Sequence, residues 1–173
     1  MTKRIPFFNF LIESYNQDVG KLGWQEATRR LVKKTRTKLQ IHGLTPKLSD
    51  ILRKEPVVIA ANHPYEAETL ALIAASPSRE DSYLIINDEF CGFGNKIDKH
   101  LIPVYINHHP PHKKMGRLLR YLMRLINPPS LLPQEAEHAK NIESIKKASK
   151  LLDRGGLVMI YPGRRHPQNN WYP

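Results

Sequence analysis

Residues 56–66 read Pro56-Val57-Val58-Ile59-Ala60-Ala61-Asn62-His63-Pro64-Tyr65-Glu66. A continuous apolar run rich in β-branched residues, stopped by a polar turn, is the pattern of a strand buried on both faces of a parallel sheet. The stretch from Glu66 to Ala75 is rich in Ala and Leu and reads as a helix closed by Ser76-Pro77-Ser78. The same alternation repeats downstream. Tyr83-Leu84-Ile85-Ile86 and Ile102-Pro103-Val104-Tyr105-Ile106 read as strands, and Met115 to Ile126 as an amphipathic helix stopped at Asn127-Pro128-Pro129. Ala136 to Leu152 is a longer helix with Ala139, Ile142, Ile145, Ala148, Ser149 and Leu152 on one face, ended by Gly155-Gly156. Leu157-Val158-Met159-Ile160-Tyr161 is a further strand, broken by Pro162-Gly163. This order predicts an α/β fold with a mixed, largely parallel sheet flanked by helices.

Upstream, Gln25 to Lys38 reads as a basic helix with Ala27, Leu31, Val32 and Thr35 on one side. A solvated basic face is the plain reading of it, and a membrane-surface helix the sharper one. Leu39-Gln40-Ile41-His42-Gly43 alternates and ends in glycine, which predicts a short strand. The chain therefore divides into an N-terminal helical region, 1–37, and an α/β domain, 38–173.

With 173 residues, the chain is long enough for a core without staples. Its 27 Lys and Arg against 16 Asp and Glu give a net charge of +11. Such an excess favours anionic partners: nucleic acid, acidic phospholipid or a phosphate-bearing cofactor. The single cysteine, Cys91, excludes an intramolecular disulfide framework and has no thiolate-stabilising motif beside it. No apolar run approaches the ~20 residues of a membrane-spanning helix. The opening Met1-Thr2-Lys3-Arg4, then Pro6 to Ile12, is interrupted by Asn9 and has no small-residue cleavage site, so it reads as mature protein. A cytoplasmic location is expected.

The turn after the first long strand carries the chemistry. His63 can act as a general base near neutral pH. A carboxylate on its far ring nitrogen would fix the tautomer, and Glu68, five residues on, can fold back towards it. Glu66 competes at three residues. A base held in this way deprotonates a hydroxyl without a serine or cysteine nucleophile. The plainer alternative is a turn histidine bonded to backbone.

The block from Val57 to Ala75 resembles the first conserved block of the glycerolipid acyltransferases, the lysophosphatidic acid acyltransferase-like family. That block has Asn-His, four residues, then an acid, usually Asp; here Asn62-His63 is followed four residues later by Glu68. The resemblance implies a mixed α/β domain whose His-acid pair faces a groove. His63 would be the base and Glu68 its partner. The acceptor hydroxyl would attack the thioester of acyl-CoA or an acyl carrier protein, with no tightly bound cofactor and no metal. The acceptor would be lipid-like, a lysophospholipid or glycerol-phosphate-type hydroxyl, on an anionic membrane surface to which the protein binds peripherally.

The second family block, roughly Gly-x-Ile-Phe-Ile-Asp-Arg, is similar to Val104-Tyr105-Ile106-Asn107-His108, with Asn107 and His108 at the Asp-Arg positions. Lys113 and Arg117 stand near it as alternative phosphate contacts. The third block, roughly Phe-Pro-Glu-Gly-Thr-Arg, resembles Tyr161-Pro162-Gly163-Arg164-Arg165, without the Glu-Gly pair. Arg164 and Arg165 would hold phosphate through charge-assisted hydrogen bonds. The expected substrate-binding residues are thus Asn62, Lys113, Arg117, Arg164 and Arg165. Family members continue beyond the third block. The expectation is therefore a domain lacking its C-terminal part, with its last strand at an unpaired edge.

Two alternative functional classes stand beside this one. A catalytically inactive acyltransferase fold that binds anionic lipid shares every feature above. A nucleic acid-binding protein fits the charge, but the basic residues are scattered and not interleaved with aromatics. His108-His109-Pro110-Pro111-His112 lacks a nearby acid or cysteine and reads as an exposed loop instead of a zinc site.

Overall fold

The computed structural model describes residues 6–62, 68–106 and 132–162. Three helices, α1 (Pro6–Leu22), α2 (Trp24–Lys34) and α3 (Pro46–Lys54), precede strand β1 (Val57–Ala60). Helix α4 (Glu68–Ala75) leads to β2 (Ser82–Asn87), a 3-10 turn at Asp88–Phe90 and a short helix α5 (Asn95–Asp98). Strand β3 (Leu101–Val104), helix α6 (Gln134–Asp153) and strand β4 (Leu157–Ile160) follow. The four strands form one parallel sheet in the order β1-β4-β2-β3. The α/β architecture with a parallel sheet between helices is as the alternating sequence pattern predicts.

Register sorts the strand side chains onto two faces. Val57 pairs with Leu157, and Leu84 pairs with both Leu101 and Met159. Leu84, Leu101, Leu157 and Met159 pack with Val19, Trp24, Ala27, Ile73 and Ile97 in the larger core, beneath α1, α2, α4 and α5. On the opposite face, Ile102 and Val158 pack with Ala148 of α6, flanked by Tyr83, Ile85, Leu151 and Leu152. Burying such side chains contributes roughly 1.5–3 kcal/mol each.

Local signals explain the helix ends. Thr45 accepts from the Leu48 amide and Pro46 occupies the first turn, so α3 is capped as its sequence requires. Asn16 of α1 accepts from the amides of Lys96 and Ile97, at 3.0 and 3.2 Å, at the start of α5. A Cβ on Gly94 would sit 2.4 Å from that Asn16 side chain, so only glycine permits the approach. Gly155, at φ 93°, turns the chain from α6 into β4.

Four sequence expectations are corrected. Strand β1 is not buried on both faces: Val57 and Ile59 are half-buried on one side, while Val58 on the other is 54% exposed. Residues 39–43 form no strand; the alternation is present, but no neighbouring strand pairs with it. The last described strand is not at an edge, because β4 sits between β1 and β2 and the edges are β1 and β3. The apolar stripe of the long helix holds only in part: Ala148 and Leu152 pack against the sheet as expected, but Ile142 and Ile145 are exposed and Ser144, outside the stripe, is buried. Polar contacts set this orientation. Ser144 Oγ donates to the Pro103 carbonyl at 2.6 Å, and Asn141 bonds both backbone groups of Tyr105 at 2.7 and 2.9 Å.

Helix α2 buries Trp24, Gln25, Ala27 and Thr28 against protein. Its basic residues Arg30 and Lys34 reach Asp18 of α1, at 3.1 and 3.9 Å. Its inward face is therefore core and its basic face is solvated. Among the described residues no helix is long and apolar enough to cross a membrane. The amphipathic stretch Met115 to Ile126 lies outside the described residues.

The amino ends of the strands are closed by a dense polar network. Arg79, whose side chain is 6% exposed, holds both carboxylate oxygens of Asp81 at 2.7 Å. It also donates to the carbonyls of Leu52, Glu55 and Gly155 at 2.9, 3.0 and 2.6 Å. One guanidinium thus joins the end of α3, the start of β2 and the turn before β4. Its hydrogen bonds hold the Asp81 carboxyl below the usual carboxylate range. Nearby, Gln25 Nε2 donates to Ser82 Oγ at 2.6 Å. The buried His100 stacks on Trp24 with ring centroids 4.7 Å apart and donates from Nδ1 to the Ser82 carbonyl at 2.9 Å.

Candidate active site

In a parallel sheet every strand delivers its following loop to the same edge, and sites collect there. Strands β1 and β4 are neighbours, so their exits are adjacent. The Ala61 amide donates to the Ile160 carbonyl at 3.0 Å, carrying the ladder one residue past β1. Asn62, exposed, therefore leaves the sheet beside Tyr161 and Pro162. The Asn62 exit leads into the stretch with His63; the Pro162 exit leads into Gly163-Arg164-Arg165.

Glu68 is the first residue of α4, the helix that returns over this edge. Its Oε2 is shielded from solvent, as is the Tyr161 hydroxyl. Tyr161 falls on the same sheet face as Leu157 and Met159 and packs against the larger core. Its hydroxyl meets the first turn of α4. Burial pushes the phenol above its ordinary value, a hydrogen bond with Thr69 opposes that, and the nearby charge of Glu68 adds to it. The first turn of a helix favours an acidic side chain, because free amides and the helix dipole point there.

The exit from β2 carries more acid. Glu89 is 3% exposed although ionisable. Asn87 caps the turn: its side-chain oxygen accepts from the Glu89 amide and its nitrogen donates to Glu89 Oε1 at 3.3 Å. Cys91 follows, with its thiol pushed up to about 12, first by burial and then by the charges of Asp98 and Asp88. A thiol held that high is not a nucleophile at neutral pH. At the exit from β3, Lys140 lies over the Tyr105 ring, 4.8 Å from its centroid.

Of the residues singled out in the sequence, Asn62 and Glu68 both stand at this edge. His63, the competing Glu66, Lys113, Arg117, Arg164 and Arg165 lie outside the described residues, as does the histidine cluster from His108 to His112. Two residues of the edge were not singled out. Tyr161 reads in sequence only as the end of a strand. Glu89 reads as one acid in a polar turn, and the Asn87-x-Glu89 capping pattern directly after an apolar strand was the available signal. No family model, curated protein or solved structure matches the chain.

Proposed function

We propose that the protein is an acyltransferase that moves a fatty acyl group from acyl-CoA or an acyl carrier protein to the hydroxyl of a lysophospholipid or glycerol-phosphate-type acceptor. His63 is the general base and Glu68 its acidic partner. His63 takes the proton of the acceptor hydroxyl, and the oxygen attacks the thioester carbonyl. The tetrahedral intermediate collapses with cleavage of the C–S bond, and the protonated imidazole returns its proton to the departing thiolate. Glu68 stabilises the imidazolium between the two transfers. Asn62 and the basic residues Lys113, Arg117, Arg164 and Arg165 serve substrate binding. The protein works in the cytoplasm, peripherally on a membrane.

One observation carries this reading: β1 and β4, far apart in sequence, exit side by side at the carboxyl edge of the sheet. The chain entering His63 and the chain entering Arg164-Arg165 thus start from adjacent strand ends, and Glu68 heads the helix that packs by Tyr161. A base, its acid and a phosphate-binding pair need that convergence.

The test is transfer of radiolabelled acyl groups from acyl-CoA to a mixed lysophospholipid pool, comparing the chain with its His63→Ala variant. Transfer should fall about a thousandfold in the variant, within the range for loss of a general base, with the unfolding midpoint unchanged. Equal activity in both would reject His63 as the base. No transfer by either folded protein would favour an inactive lipid-binding fold.

A further inference from the structure

From residue 33 to residue 56 no side chain is buried. The stretch nevertheless holds six Leu and Ile residues. Leu39, Ile41, Leu48 and Ile51 are 38, 48, 41 and 38% exposed. Helix α3 has no buried residue at all, and its apolar stripe of Leu48, Ile51 and Leu52 turns only Leu52 towards the core. Single exposed leucines are ordinary, whereas four exposed aliphatic side chains within thirteen residues, on a segment with nothing buried, suit an interaction surface.

The charge of the segment says what fits it. It holds seven Lys or Arg residues and two acids, a net +5. One of the acids, Asp50, lies 3.9 Å from Lys54. No Phe, Tyr or Trp occurs between positions 33 and 56, and His42 is the one ring there. Single-stranded nucleic acid is held by successive stacking platforms as well as by cations, and this surface has no such series. Exposed aliphatic side chains among Lys and Arg match the interfacial region of an anionic bilayer, where the apolar groups enter the acyl boundary and the cations meet headgroup phosphates.

We propose that the surface formed by residues 33–56, with α3 and Leu39-Gln40-Ile41 at its centre, docks on an anionic phospholipid bilayer. Apart from Lys33 and Lys34, the last two residues of α2, this site is distinct from that helix, whose apolar face is occupied by the core. It does not rest on the acyltransferase reading, since a catalytically inactive chain would bind in the same way.

The test is co-sedimentation of the whole chain with phosphatidylcholine vesicles, with and without phosphatidylglycerol. Three variants are compared with wild type: Leu39→Asn with Ile41→Asn, Leu48→Asn with Ile51→Asn, and Lys38→Glu with Lys47→Glu. All the altered positions are exposed, so unfolding midpoints should be little changed. Wild type should bind vesicles containing phosphatidylglycerol, less so as salt rises, and each variant should bind about tenfold more weakly. His63→Ala should bind like wild type. Wild type left in the supernatant with anionic vesicles, or apolar variants that bind as wild type does, would overturn the proposal. So would a wild-type dimer, lost in both apolar variants, in place of vesicle binding, because the face would then belong to a second copy.

Discussion

The two ends of the sheet use polar groups in opposite ways. At the amino ends the polar atoms serve each other: Arg79 fills its donors with Asp81 and three carbonyls, and Gln25, Ser82 and His100 bond in sequence. At the carboxyl ends ionisable groups are drawn out of water: the half-buried Glu68 and Tyr161 lie near each other with Oε2 and the hydroxyl shielded, and Glu89 is buried within its own capping turn. The first arrangement holds elements in place. Shielding an acid from water is costly, and such costs gather where a site needs them. Stability and activity should therefore separate by edge.

Arg79→Ala should produce the largest effect. Removing a nearly buried guanidinium leaves three carbonyls and a carboxylate to find new partners, at about 3 kcal/mol. Denaturant unfolding should show that loss, while the folded fraction keeps its turnover per molecule. Glu68→Gln should do the reverse. Acyl transfer should fall roughly a hundredfold, equivalent to about 2.7 kcal/mol of barrier, with little change in unfolding midpoint. If Glu68→Gln unfolds the chain and leaves turnover intact, the contrast between the edges collapses.

The smallest effect belongs to His100. Burial holds its imidazole below the ordinary value, so the folded state resists a proton that the unfolded chain accepts. Its contribution is complete above the unfolded value near 6.5 and is lost as pH falls below it. The unfolding midpoint should drop on going from pH 7 to 5. His100→Phe keeps a ring against Trp24 but gives up the Ser82 bond, costing about 1 kcal/mol at neutral pH. It should flatten the acid slope; an unchanged slope would place the titrating group elsewhere.

How far these features could be read from sequence depends on what each one answers to. The strands were legible as continuous apolar runs, but how deeply each is buried was not: Leu157 to Met159 is buried on both faces, whereas the equally apolar Val57 to Ala60 lies at an edge and exposes Val58. Strand order was not legible, since nothing in Leu157-Val158-Met159-Ile160 says which strands will flank it. Leu39-Gln40-Ile41 carries the alternation of a strand, but a strand also needs a partner, and the partner is a tertiary fact. Helix α6 misled in part because its apolar positions outvote Asn141 and Ser144 in any periodicity, although those two choose the face that meets the sheet. At the site, Glu68 stood out by its spacing from His63, and Asn62 through the resemblance of the Asn-His block. Tyr161 and Glu89 did not, because a phenol and a carboxylate become notable only once burial sets their surroundings.

The place of β4 also bears on how the chain assembles. It is the last described strand in sequence yet fills the gap between β1 and β2: Leu157 pairs with Val57, about a hundred residues earlier, and with Ser82, about seventy-five residues earlier. During synthesis, β2 and β3 can pair early, whereas β1 waits with an open edge until that segment emerges. Pairings so distant in sequence slow folding and lengthen exposure of unpaired strands. The rate at which the protein matures should thus be governed by the arrival of a four-residue segment, and ribosome-bound chains ending before Leu157 should be the ones that chaperones hold.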